Sequence, residues 1–281
     1  MPLRVRGASP GRQLPTRVLT SLAMDLALVP VLALGLMAVA FSAELVVSWK
    51  IKRDQHYDWN DTICNLATGG IYVGTSLVKG LLIGGILWAG YQWSPWRWDL
   101  GSPVSWLVLL LVYEFFYYWS HRASHHLRFM WAFHAVHHNS TKFNISTAMR
   151  NSWFGGYIDW VFLLPCVVLG FDPLAIGAIQ AFCQTWDYLC HTQYIGSLGP
   201  LEWLANTPSN HRVHHAVDVA MGKSNLGSML MIWDRLFGTY RKEPVHIVYG
   251  ATPAPARPFN LFHLQFYLFG KAGNVVDPPG R

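Results

Sequence analysis

Residues 103–125 read Pro103-Val104-Ser105-Trp106-Leu107-Val108-Leu109-Leu110-Leu111-Val112-Tyr113-Glu114-Phe115-Phe116-Tyr117-Tyr118-Trp119-Ser120-His121-Arg122-Ala123-Ser124-His125. An apolar run ends in a belt of aromatic side chains and then, without a break, in two histidines four positions apart. A helix crossing a bilayer needs about 20 predominantly apolar residues, and Trp and Tyr collect where hydrocarbon meets water. The stretch therefore predicts a membrane helix over 103–120 whose polar end carries His121 and His125. On a helix of 3.6 residues per turn these two imidazoles share a face, about 6 Å apart along the axis.

The rest of the composition agrees with a membrane setting. Of 281 residues, 52% are hydrophobic and only 13% charged, against about 25% charged in a soluble domain. The net charge is +6 with a pI near 9.2. In a soluble protein that balance would suggest nucleic acid as a partner. Here the basic residues lie in short runs beside apolar segments, which suits an anionic lipid surface instead. Cys64, Cys166, Cys183 and Cys190 sit in or beside apolar stretches with no CxxC pair, so a disulfide framework is not expected.

Working outward, residues 26–47 and 63–90 are also long enough to span, with Lys79 needing a partner or a route to the interface. Residues 153–171 and 173–190 read as a helical hairpin about Asp172-Pro173, a turn signal. Nothing suggests strands. The expected fold is all-α, an integral membrane bundle of about four to five spans with a histidine-rich helical cap. Residues 1–20 are expected to be disordered, 21–250 to form the functional domain and 251–281 a Pro-rich tail. This layout returns the chain at His191 to the side on which it left at His121. Residues 203–246 then stay on that side as a cap.

Nine of the thirteen histidines thus meet at one face. They are His121 and His125; His134, His137 and His138; His191; and His211, His214 and His215. In each HxxHH cluster the first ring shares a face with those three and four positions on, which predicts three imidazoles about one point. His126 lies about 100° around the helix from His125 and is expected at the surface or behind the ligands. His56, His246 and His263 are isolated. A lone histidine on an apolar face is usually a hydrogen-bonded core residue, but three clusters converging on one face read as a metal site. A structural zinc takes four ligands, so nine suit two ions. Imidazole binds several transition metals, and ligand type alone does not name the metal. Neutral ligands leave two divalent ions uncompensated, so acids are expected nearby. Glu114 and Asp187 lie seven and four residues before His121 and His191, near the same helix faces. They are the candidate catalytic-site acids, expected to orient imidazoles through ring N–H bonds.

These motifs resemble the fatty acid hydroxylase/sterol desaturase superfamily of membrane di-iron enzymes. Its three histidine boxes match His121–His125, His134–His138 and His211–His215. The surroundings match too, in Asn206-Thr207-Pro208-Ser209-Asn210 and in Ile232-Trp233-Asp234-Arg235-Leu236-Phe237-Gly238-Thr239. Ser146-Thr147-Ala148-Met149-Arg150, His191-Thr192-Gln193 and Val248-Tyr249-Gly250 are most similar to the alkylglycerol monooxygenase-like branch. The resemblance implies two iron ions, O2 as co-substrate and an electron-donor protein or reduced cofactor. It also implies a lipid substrate drawn from the bilayer, and hydroxylation, with desaturation as the alternative on the same scaffold. Trp153, Trp160 and Phe162 are candidates to line a substrate path or simply to face lipid. The chain departs from the nearest branch at Asn210, where a histidine is common. The stretch Ala216 to Leu226 also lacks the acidic residue expected before Asn225, and the chain stops soon after Gln265 whereas that branch continues through further spans.

Two rivals come from other classes. A metal transporter would place its site near the bilayer midplane on broken helices, whereas these histidines sit at helix ends. A zinc hydrolase needs an open metal position and a general base. Lys50, Lys52, Arg53, Arg122, Arg128, Lys142 and Arg150 share the histidine side, which the positive-inside rule puts in the cytoplasm. Arg4, Arg6, Arg12 and Arg17 fall opposite, so either the first segment does not span or the loop charges outweigh the tail.

Overall fold

The computed structural model describes residues 3–5, 16–52 and 56–269. The expected disordered start and the end of the expected tail therefore lie mostly outside the described residues. Helix α1 (Thr16–Val46) runs into a π-helical turn at Val47–Lys52. Helix α2 (Trp59–Trp93) begins where the Asp58 side chain accepts the Asp61 N–H at 3.0 Å, satisfying a backbone donor that has no partner within the helix. Two stretches, Val31–Lys50 and Trp59–Trp93, are long and apolar enough to cross a membrane. Their outer faces are apolar, with Leu81 80% and Leu77 73% exposed. Their buried faces are polar, carrying Asp61, Asn65 and Thr68. That inversion of the soluble pattern marks a membrane protein.

The short strands are a departure from the sequence expectation. β1 (Leu3–Val5) pairs antiparallel with β2 (Trp96–Trp98), Leu3 opposite Trp98. Beyond the end of α2 the backbone still needs hydrogen-bond partners. β2 finds them in β1 and in Gly170, whose carbonyl accepts the Trp98 N–H at 3.3 Å.

Helix α3 (Pro103–His126) follows, with Pro at its first turn. It continues through the histidines, so the first cluster is helical as its spacing predicts. Helix α4 (Arg128–His138) packs back against it. Residues 153–171 are not one span. They break into α5 (Gly156–Asp159), a 3-10 turn at Trp160–Leu163 and α6 (Leu164–Val168). Pro165 accounts for the 3-10 turn before it, since it has no N–H to give the Val161 carbonyl an i→i−4 bond; Leu164 itself keeps helical dihedrals, φ −54° and ψ −43°. The segment nevertheless descends beside α2. Gly156 abuts Lys79, Gly90 meets Val167, and the Ser94 hydroxyl donates to the Val168 carbonyl at 2.8 Å. Helix α7 (Pro173–Cys190) is capped by Asp172 and climbs back to His191. The core at the far end joins Leu87, Leu109, Val167, Phe171 and Ile176.

Above α7 lies the cap: α8 (Pro208–His214), α9 (Val219–Gly222), α10 (Ile232–Leu236) and α11 (Leu261–Phe266). Leu264, Gln265 and Leu268, in the stretch expected as a tail, are buried. The Gln265 side chain accepts the Trp153 N–H at 2.9 Å. Trp153 is itself buried, with its indole donating to the Thr68 carbonyl at 3.3 Å. Its ring packs edge-on against Phe262 of α11, with centroids 5.5 Å apart.

Candidate metal centre

All nine histidines come together, in two adjacent sets. His121, His125, His134, His138 and His214 form one; His137, His191, His211 and His215 form the other. Within each set the ligand nitrogens lie within 4.8 Å of one another. The sets touch where the His138 and His215 rings stack at 4.4 Å. His126 joins neither set and turns its Nδ1 to the Arg122 carbonyl at 2.8 Å. His56, His246 and His263 also stand apart.

The expectation of three rings about one point is corrected. Each HxxHH cluster is shared between the sets. His134 and His138 enter the five-membered set while His137 enters the four-membered one. His211 and His215 enter the four-membered set while His214 crosses to the other. Helix geometry explains the division. Residues i and i+4 lie about 40° apart around the axis, whereas i+3 and i+4 lie about 100° apart. An HxxHH helix can therefore place a pair in one pocket and the third ring in its neighbour.

Four rings are fixed by backbone carbonyls. Nδ1 of His121 meets the Leu226 oxygen at 2.8 Å, and that of His214 meets Ser224 at 3.0 Å. Nδ1 of His137 meets Arg150 at 3.1 Å, and that of His191 meets Asp187 at 2.7 Å. A carbonyl only accepts, so Nδ1 carries the proton and Nε2 presents its lone pair inward. Burial holds His134, His138, His211, His214 and His215 well below the ordinary imidazole pKa, with repulsion among neighbouring rings adding to it. Burial also brings His137 down to about 4. The rings are neutral at pH 7.

Such a set fits a metal ion. His121 and His134 bring their Nε2 atoms to 3.0 Å, and His134 and His138 to 3.1 Å. His191 Nε2 lies 3.1 Å from those of His215 and His211 and 3.3 Å from that of His137. Nitrogens about 2.1 Å from a shared ion lie about 3.0–3.4 Å apart at neighbouring positions. His137 and His191 both carry their proton on Nδ1, so their facing Nε2 lone pairs repel at 3.3 Å unless a cation stands between them. Nε2 of His125 and of His214 are buried without a hydrogen-bond partner among the described residues, a costly arrangement that metal binding would relieve.

The acids do not touch the rings as expected. Both Glu114 oxygens accept backbone N–H groups, from Met229 at 3.0 Å and from Leu230 at 3.0 Å. The Asp187 carboxylate accepts the Ser228 hydroxyl at 2.7 Å and the Tyr117 hydroxyl at 3.3 Å. Asp187 reaches His191 through its backbone carbonyl. Carbonyls, which carry no sequence signature, hold the rings in place of carboxylates. The sequence reading also missed Arg150, fully buried, with its guanidinium 3.2 Å from Asp61 and its carbonyl on His137.

Residues 106–239 match the fatty acid hydroxylase family model. The chain belongs to the fatty acid hydroxylase/sterol desaturase superfamily. It is 35% identical over 223 residues to alkylglycerol monooxygenase of Xenopus tropicalis, covering 79% of this chain and 49% of the relative. Against the Homo sapiens alkylglycerol monooxygenase it is 35% identical over 226 residues, 80% of this chain and 50% of the relative. An ornithine lipid hydroxylase of Rhizobium tropici is 35% identical over 144 residues, 48% of this chain and 41% of that protein. These likenesses place the chain on the alkylglycerol monooxygenase-like branch. It spans about half the length of the curated alkylglycerol monooxygenases it matches. No solved structure shows a significant match.

Proposed function

We propose that this protein is a di-iron membrane enzyme that uses O2 to hydroxylate a C–H bond in the alkyl or acyl part of a lipid. The observation that carries the reading is the pair of buried, neutral imidazole sets. One ion would sit among His121, His125, His134, His138 and His214, and the other among His137, His191, His211 and His215. Bound iron supplies reduction of O2 with external electrons, so that one oxygen atom enters the lipid and the other leaves as water. The chain's own residues hold the neutral tautomers, exclude water and bring the lipid alongside.

An apolar cavity of about 370 Å³ suits that last task. It is lined by Phe133, Phe154, Tyr157, Ile158, Phe266 and Phe269, and Phe133 is the residue before His134 on α4. The relatives' names, monooxygenase and lipid hydroxylase, favour hydroxylation over desaturation. We place the histidine face in the cytoplasm, with a multi-pass chain of about four to five crossings. Arg122, Arg128 and Lys142 support that orientation, whereas Arg150 leaves the count because Asp61 neutralises it.

Metal analysis of the purified protein should find two irons per chain. Lipid analysis of producing cells against a deletion strain should find a lipid gaining one oxygen. One zinc per chain with no oxygen consumption would defeat the reading. A lipid losing two hydrogens would replace hydroxylation by desaturation.

A further inference from the structure

Three carboxylates from three helices converge on five consecutive residues, Leu226 to Leu230. Asp234 of α10 accepts the Leu226 N–H and the Gly227 N–H, each at 2.8 Å. Asp187 of α7 accepts the Ser228 hydroxyl, and Glu114 of α3 accepts the Met229 and Leu230 N–H groups. Glu114 and Asp234 are fully buried. The carbonyls of the segment have partners as well. Leu226 accepts from His121 Nδ1 at 2.8 Å. Gly227 and Ser228 accept from the Asn206 amide at 3.1 and 2.9 Å.

The pairing within single peptide units is the informative feature. The Gly227 N–H and the Leu226 C=O belong to one planar amide. Asp234 binds its donor end and His121 its acceptor end. A carboxylate hydrogen-bonded to an amide N–H polarises that amide and strengthens its carbonyl as an acceptor. The metal-ligating ring in turn becomes a better donor of its Nε2 lone pair when Nδ1–H is well accepted. The Ser228–Met229 amide repeats the pattern, with Glu114 on the N–H and Asn206 on the carbonyl. Gly227 has no room for a side chain, since a Cβ there would stand 2.2 Å from the Leu230 oxygen and 3.0 Å from Asp234.

We propose that Asp234 is a positioning residue for the five-histidine site, acting on His121 through the Leu226–Gly227 peptide, with Glu114 and Asp187 holding the rest of the strap in register. This inference rests on the metal reading above. It gives the five-histidine site the influence of a carboxyl group that is not itself among the ligands.

The test is a double-mutant cycle on the full chain in detergent, titrated anaerobically with Fe(II) against a chelator. Asp234→Asn keeps the shape but leaves one oxygen for two N–H donors. It should weaken one of the two ions about 10- to 100-fold, the usual effect of losing such a partner, and leave the other unchanged. In a His121→Ala background the same substitution should have no further effect on affinity, because the relay has lost its end. Thr239→Val removes the hydroxyl that donates to Asp234 at 2.6 Å but spares both backbone bonds. It should lower the melting temperature and leave affinity alone, which separates positioning from plain stability. Asp234→Glu is carried alongside, and whichever Asp234 variant folds decides. Two ions bound by the wild type with unchanged affinity in the folded variant would overturn the strap alone. An equal loss with and without His121 would do the same. A wild type that binds no metal would overturn the strap and the functional reading together.

Discussion

In the five-histidine set, His121 and His214 lean on one stretch of chain, through the carbonyls of Leu226 and Ser224. That stretch belongs to the cap and is tied down by buried acids. In the four-histidine set the supports come from separate places. His137 leans on Arg150, which a guanidinium–carboxylate pair locks to α2, and His191 leans on the last turn of α7. One set is therefore positioned by a local strap and the other by the way membrane helices pack. The two should fail independently, and for different reasons.

Removing a ligand should give the largest effect and expose the difference in ligand number. His191→Ala leaves three nitrogens in its set, and His125→Ala leaves four in its own. His191→Ala should empty its site and lower product formation by well over the ~100-fold typical of losing a supporting partner. His125→Ala should keep measurable iron at its site. Iron per chain by elemental analysis checks both. Equal loss from both sites would mean that the sets are one cooperative cluster.

Acid should act on both sets alike. Burial depresses the imidazole pKa values, His137 to about 4. Unfolded imidazoles take up protons near pH 6.5, so between about 6.5 and 4 the unfolded state binds more protons than the folded one. Stability is then fully present above pH 6.5 and falls as pH drops toward 4. Melting temperature of the chelator-stripped protein and iron retention should fall together across that window. A flat melting temperature from pH 7 to 4.5 would contradict the neutral-ring description.

Much of this was readable in the residues. The span ending at His121, the return at His191 and the i, i+4 pairs follow from helix period and hydrophobic length. So did the convergence of nine rings. The division of each HxxHH cluster between two pockets did not, because it depends on where two ions' worth of space lies, which is a property of packed helices. The acids show the same limit. Glu114 and Asp187 stand at suitable helical spacings, but Glu114 reaches the backbone N–H of Met229 and Asp187 the hydroxyl of Ser228, both more than forty positions away. A side chain's heptad position predicts its face and says nothing of which loop will cover it. Backbone carbonyls are carried by every residue, so no pattern could mark Leu226 or Arg150 as supports. The irregular helix within 153–171 has its cue in Pro165, which the apolar run around it masks.

Arg150 tests the other half of the comparison. Its side chain is fully buried beside Asp61, and it also donates to the Pro258 carbonyl at 3.0 Å. Removing one partner from a buried pair costs about 3–5 kcal/mol, because the other charge is stranded. Arg150→Met should lower the melting temperature accordingly and loosen iron at the four-histidine site, while the five-histidine site keeps its own. Adding Asp61→Leu should recover part of the stability, since no buried charge then remains. If iron leaves both sites in equal measure, the supports are not separate.

The smallest expected effect concerns Phe143, which contacts only one set closely. Its ring stacks on His191 at 5.4 Å and 21°, and on Tyr249 at 4.9 Å and 19°. It is buried, so Phe143→Leu keeps an apolar side chain and removes mainly the aromatic contact. Such contacts contribute about 0.5–1.5 kcal/mol beyond their buried area. If the stack restrains the His191 ring, its loss should weaken iron at the four-histidine site by about 2- to 13-fold, the same range expressed as a ratio. The five-histidine site should be unmoved. A drop in melting temperature with both affinities unchanged would make Phe143 a packing residue only, and the restraint on His191 would then rest wholly on the Asp187 carbonyl.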